Sequence, residues 1–212
     1  MLLFGHAGMT LAIAALANYA MDSYSLQTAR NRPRWSQEIS SDERPTGEHR
    51  SIPGASWVSA LGRRIDIRVL LIGSLLSDIV DKPLGQVFFK ETFSNGRIFC
   101  HSLLFLPLVS LLGLYLYRTR RRVSFLVLSF GVLTHLIFDW MWQQPRTLLW
   151  PLFGFTFEKV DLSNWLQGIL HSMYANPMVY VPEVVGLAAL SWFALALVRG
   201  RTVRTFITHG RY

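Results

Sequence analysis

The residues of this 212-residue chain that could do chemistry are few and grouped. His135 and Asp139 stand four apart and Asp78 and Asp81 three apart, so each pair shares one face of a helix. His6 stands near the start of the chain, and His101 lies between Cys100 and Ser102. Histidine nitrogen and carboxylate oxygen suit a borderline divalent metal, which keeps a position open for water and lowers its pKa toward neutrality. The expected metal ligands are His6, Asp78, Asp81, His101, His135 and Asp139, with zinc the expected ion. This set is enough for one ion, and two ions sharing a bridging carboxylate would clamp a phosphoryl group from both sides. Asp81 or Glu183 is expected to manage the proton, while Arg97 and Lys82 suit a phosphate or carboxylate on a substrate. The plainer roles are interhelical hydrogen bonding for His6, and a helix end at Asp78 and Asp81, with Lys82 as counter-ion and Pro83 as the stop. Ser102 has no triad spacing and reads as a helix cap. A single cysteine excludes a disulfide framework and any Cys-based zinc knuckle.

The elements that must position these residues follow from composition. Hydrophobic residues make up 51% of the chain and charged residues only 16%, against roughly a quarter charged in an average soluble domain. An all-α, polytopic membrane bundle of about five spans, forming a single domain, is the expected architecture. The apolar runs place the spans at about 2–21, 67–82, 101–117, 123–142 and 179–198. The second reaches spanning length only by including Asp78 and Asp81, and ionisable residues at membrane depth point to function. Between spans one and two, 22–66 reads as a polar, basic loop. Between spans four and five, 143–178 carries Trp150, Phe153, Phe155, Phe157 and Trp165, and reads as an interfacial or re-entrant cap. His171 falls in that cap, a weaker ligand candidate, whereas His49 and His209 fall on the opposite side.

Charge distribution fixes the expected orientation. Lys and Arg outnumber Asp and Glu 21 to 13, and sixteen of the basic residues lie in the 22–66 loop and its edge, in Arg118–Arg122 and in the tail after Val198. Five spans put all three segments on one face, and the positive-inside rule makes that face cytoplasmic. The N-terminus is then outside and the C-terminus inside, with the His and Asp residues gathered at the outer membrane boundary. The arginines report topology and attract anionic lipids, so no nucleic-acid partner is needed to account for them.

The segments GSLLSDIVDKPLG (73–85), NGRIFCHSLLF (95–105), LTHLIFDW (133–140) and LLWPLFG (148–154), preceded by His6, resemble the YdjM-like inner-membrane proteins described as membrane-bound metal-dependent hydrolases. The resemblance covers nearly all spans but not 22–66. It implies an inner-membrane location and metal-binding positions at Asp78, Asp81, His101, His135 and Asp139, with His6 as an N-terminal ligand. Many relatives have Pro where Ser77 stands, Thr where Cys100 stands, and His where Gly96 stands, the last a ligand that a second metal would use. The expected function is hydrolysis of a phospholipid or other amphiphilic phosphate or carboxylic ester, with membrane lipids as surroundings. The alternatives are a non-catalytic subunit of an assembly with a membrane-protein partner, its metal site structural, and a cation- or proton-handling transport protein.

Overall fold

The computed structural model describes residues 2–30, 65–161 and 165–210, and all regular structure among them is helical. Its contacts divide the chain into two compact units, Met1–Ala12 with Ile65–Tyr212, and Ile13–Arg64. In the second unit the described residues continue helix α1 (Leu3–Arg30), which runs beyond the expected end at 21. The rest of the expected 22–66 loop, with His49, lies almost entirely outside the described residues. Everything below concerns the first unit.

Helix α2 (Ile67–Lys82) starts at Asp66, whose carboxylate accepts the Arg68 backbone N–H at 2.9 Å. Hydrogen bonding to the Arg68 guanidinium holds the Asp66 carboxyl below its usual range. The α-helix ends at Lys82, just before Pro83. The proline lacks the N–H of a regular turn, and the chain instead widens into a π-type turn over Pro83–Phe88. Helices α3 (Phe105–Arg120) and α4 (Ser124–Phe138) form a hairpin turned at Arg121, which has left-handed backbone at φ 54°. A short 3-10 turn (Met141–Gln143) and the single-turn α5 (Pro145–Leu148) follow. Then come α6 (Trp165–Ala175), the long α7 (Pro177–Arg199) and α8 (Val203–His209).

Small and hydroxyl residues set how closely these helices approach, as they do inside membranes. Helices α2 and α4 cross backbone to backbone. A methyl group added at Gly131 would lie 2.6 Å from the Gly73 and Ser74 main chain, and one at Gly73 would lie 2.6 Å from the Leu128 carbonyl oxygen. Ser110 and Ser129 join α3 to α4 through their hydroxyls at 2.6 Å, and Thr10 joins Thr134 at 2.9 Å. Among the described residues the buried apolar side chains form two small clusters. One holds Leu11, Ile67, Phe193 and Leu197, the other Val132, Leu136 and Met141.

Much apolar surface faces outward instead. On α3 only Val109 and Gly113 are buried, leaving Leu108, Leu111, Leu112 and Tyr115 exposed. Contiguous apolar exposure on this scale is what lipid, not water, accommodates. Among the described residues one helix, α7, is long and apolar enough to cross a bilayer; the apolar stretch Leu3–Ala17 and α4 are shorter.

Helix α2 fills residues 67–82, whereas the two helices that follow are shorter than the apolar runs that contain them. Span three begins at Phe105 rather than 101, so His101 and Ser102 sit in a turn before the helix, and span four ends at Phe138, not 142. The cause is the same at both ends. The main chain leaves the helical path so that its polar groups can build a site: N–H groups of 98–101 converge on Asp81, and Trp140, at φ 54°, turns the chain out of α4 behind Asp139. Helices of 15 and 16 residues reach only ~24 Å, against roughly 30 Å of bilayer hydrocarbon.

Candidate metal centre

His101 and His135 lie at the centre, both wholly buried, with their Nε2 atoms 3.1 Å apart. Each ring has its other nitrogen committed. His135 Nδ1 lies 2.7 Å from the Ser74 carbonyl oxygen, and His101 Nδ1 lies 2.7 Å from Asp81 Oδ2. A carbonyl and a carboxylate can only accept, so both Nδ1 atoms carry the proton. In the neutral rings the two Nε2 lone pairs therefore point at one another across 3.1 Å. Two lone pairs do not bond; a cation between them would satisfy both.

Three more side chains converge there. Asp78 Oδ1 lies 3.5 Å from His101 Nε2 and 3.9 Å from His135 Nε2. Asp139 Oδ2 lies 3.8 Å from His101 Nε2, and Asp139 Oδ1 lies 3.6 Å from His6 Nε2. The His6 ring stacks on His135 with centroids 4.1 Å apart, and neither of its buried nitrogens has a hydrogen bond. Buried polar atoms are rarely left this way without a missing partner. Ligand atoms of His6, Asp78 and His135, and of His101, His135 and Asp139, lie close enough in each group to hold a metal ion. The buried His/Asp cluster could therefore hold one, and orphaned His6 nitrogens with facing lone pairs fit that use.

Asp81 is also wholly buried, but its oxygens are taken. They accept the N–H groups of Ile98 at 2.9 Å, Cys100 at 3.0 Å and His101 at 3.1 Å, besides the His101 ring. This carboxylate shapes the turn and fixes the His101 tautomer, the support that metal-ligating histidines commonly have. Glu183 is similarly engaged. Its Oε1 accepts the Leu2 N–H at 2.6 Å and its Oε2 the Gly5 N–H at 3.0 Å. Both carboxylates expected to manage a proton are thus held by main-chain donors.

Two cations stand on the rim. Arg97 holds Asp139 through Nε at 2.5 Å and Nη2 at 3.0 Å, and Lys82 holds Asp78 Oδ2 at 2.7 Å. They lie on the same side, because Gly96 packs on the Lys82 stem, where an added methyl would be 3.1 Å from Lys82 Cγ. Gly96 itself supplies no side-chain ligand.

Other candidates fall away. Ser102 donates to the Phe99 carbonyl and accepts the Phe105 N–H, tying the turn to the first residue of α3, whose N-cap is Leu104. Burial and the neighbouring Asp81 push the Cys100 thiol up to about 12, so it supplies no thiolate. His171 and His209 are exposed on α6 and α8.

Sequence reasoning passed over Ser74, Ser77 and Asn95. Ser74 acts through its carbonyl, a role residue type does not encode, and Ser77 Oγ donates to the Cys100 carbonyl at 2.9 Å. Asn95 had a signal. The Asn95-Gly96 pair marks a turn, and there Asn95 Oδ1 accepts the Arg97 N–H at 2.9 Å while its Nδ2 donates to the Glu158 carbonyl at 2.7 Å. This ties the aromatic connection to the site: Phe157 packs with Phe93 and Phe99, on either side of Arg97 in the chain, and Trp150 packs with Phe99 and Phe155.

A model of the YdjM inner membrane protein family matches residues 44–207. No curated protein and no solved structure matches the chain.

Proposed function

The chain belongs to the YdjM inner membrane protein family, and from that footing we propose that it is a multi-pass, single-ion metal-dependent hydrolase of an amphiphilic phosphoester. The observation that carries the reading is the pair of buried Nε2 atoms 3.1 Å apart, with Asp78, Asp139 and the unbonded His6 around them. The residues that would hold the ion are His6, Asp78, His101, His135 and Asp139, and their nitrogen and carboxylate donors suit zinc. One ion is the natural count. Both ligand groups share His135, and its Nδ1 is spent on the Ser74 carbonyl, leaving one lone pair for one metal.

When bound, such an ion supplies Lewis acidity and an acidified water for attack on the ester. The chain's residues do the rest. Asp81 and the Ser74 carbonyl keep the Nε2 lone pairs aimed inward. Arg97 and Lys82, half-buried at the rim, can exchange part of their contact with Asp139 and Asp78 for the oxygens of an incoming phosphate. Charge balance favours phosphate over a neutral carboxylic ester. Three carboxylates against two side-chain cations and a divalent ion leave one positive charge in a water-poor setting, and a phosphodiester monoanion neutralises it. The exposed apolar faces of α3 and α7 would leave a lipid's tails in the bilayer while its headgroup enters. The topology that goes with this places the site at the outer boundary, with the N-terminus outside and the C-terminus cytoplasmic.

The test is elemental analysis of metal-replete, detergent-purified protein, followed by hydrolysis assays on lipid phosphodiesters and matched carboxylic esters. A single ion per chain is expected, lost together with hydrolysis when Asp78 and His135 are both replaced by alanine. Arg97→Gln should reduce phosphodiester turnover about 10- to 100-fold, the scale of a lost charge-assisted hydrogen bond, and affect carboxylic esters less. Replete wild-type protein without metal would sink the proposal.

A further inference from the structure

We infer that Glu183 is a positioning residue for His6: from α7 it grips the first turn of α1 and so holds the His6 ring in the metal centre. The inference rests on the metal-centre reading above.

The three histidines of the site are not held alike. His101 and His135 each have an Nδ1 hydrogen bond that sets the ring. His6 has none on either nitrogen; its ring stacks on His135 with planes 25° apart, and its Nε2 lies 3.6 Å from Asp139 Oδ1, beyond hydrogen-bond length. Stacking allows a ring to slide and turn, so the placement of His6 must come from its backbone. That backbone is fixed on both sides of the residue. Before it, the Glu183 carboxylate takes the Leu2 and Gly5 N–H groups, donors that the first turn of a helix leaves without partners. The positive end of the helix dipole strengthens this grip on a buried carboxylate. After it, Gly8 seats directly on Gly186. A methyl group at either glycine would collide with the other segment's main chain, so no side chain separates the two helices here.

Glu183 and Gly186 are three apart on α7, and Gly5 and Gly8 are three apart on α1, so the two contacts form one continuous seam with His6 between them. Both Glu183 oxygens are filled by these N–H groups. Among the described residues, the groups able to hold an ion do not include Glu183. Its carboxylate therefore acts on the site through His6.

The experiment is a double-mutant cycle on the full chain in detergent, with zinc affinity measured by competition against a chromophoric chelator. Expected are losses of about 10-fold or more for His6→Ala and for Glu183→Gln, in line with ligand-orienting partners elsewhere. The double variant should bind no more weakly than His6→Ala alone, because Glu183 has nothing left to position. Glu183→Asp, which keeps a carboxylate and is the milder change, should fall between wild type and Glu183→Gln. It also serves if the glutamine variant does not fold. Losses that multiply in the double variant, or wild-type affinity in Glu183→Gln or Glu183→Asp, would overturn the inference while leaving the metal centre standing. A wild-type protein that binds no zinc would instead overturn the metal-centre reading, and this inference with it.

Discussion

Replacing Asp81 by asparagine removes one of the two oxygens that receive the Ile98, Cys100 and His101 N–H groups and the His101 ring, and puts an NH2 group in its place. An amide nitrogen cannot accept: with the amide oxygen at the Oδ2 position all four donors keep an acceptor, and the buried NH2, set against the Cys100 N–H, is the donor left without one. Stranding a buried donor costs about 1–3 kcal/mol, which sets the expected loss of stability. The effect on metal is separate. If the amide turns its NH2 toward the His101 ring, Nδ1 must accept, the proton moves to Nε2, and the lone pair on that atom disappears. Loss of such an orienting partner weakens metal binding about 10- to 100-fold, or roughly 1.4–2.8 kcal/mol. Zinc competition titration reads the affinity, and nitrogen-15 NMR of labelled histidine reads the tautomer. Unchanged affinity with an unchanged His101 tautomer would refute the reasoning. A loss as large as that from His101→Ala would refute it differently, by making Asp81 a ligand.

Two further outcomes follow from the fold. Gly131→Leu should lower the thermal unfolding temperature by overpacking the α2/α4 crossing, at a cost of about 1–3 kcal/mol or more; unfolding in detergent at wild-type temperature would mean the helices do not meet there. A reporter fused after Tyr212 should behave as cytoplasmic and one fused at the N-terminus as external, and the reverse pair of signals would overturn the proposed orientation.

What was legible in the sequence was whatever periodicity and scarcity encode. Helix α2 came out at 67–82 because its apolar run ends in Asp78, Asp81 and Lys82, and ionisable residues are rare enough in such a run to mark a site. The convergence of His6, Asp78, His101, His135 and Asp139 could be anticipated, since each stands near the same end of its apolar segment. The ends of the elements were not legible. Apolar character continues through His101–Leu104 and Trp140–Trp142, so hydropathy extends both spans across chain that is not regular α-helix. The partition of the carboxylates was equally hidden. Asp78 and Asp81 share a face, yet one turns to the histidine Nε2 atoms and the other to main-chain N–H groups, a difference set by the 98–101 turn and not by their own neighbours in sequence.

That turn and the metal centre are parts of one device. Irregular backbone at membrane depth is tolerated only where its polar groups are satisfied inside the protein. Three of the N–H groups freed between Ile98 and His101 would be costly to bury, and one carboxylate satisfies them together. The same carboxylate then has an oxygen facing the His101 ring, so the demand created by leaving the helix is met by the group that orients a ligand. The 98–101 turn is therefore what makes a buried carboxylate at position 81 tolerable, and that carboxylate is what would direct His101 toward an ion.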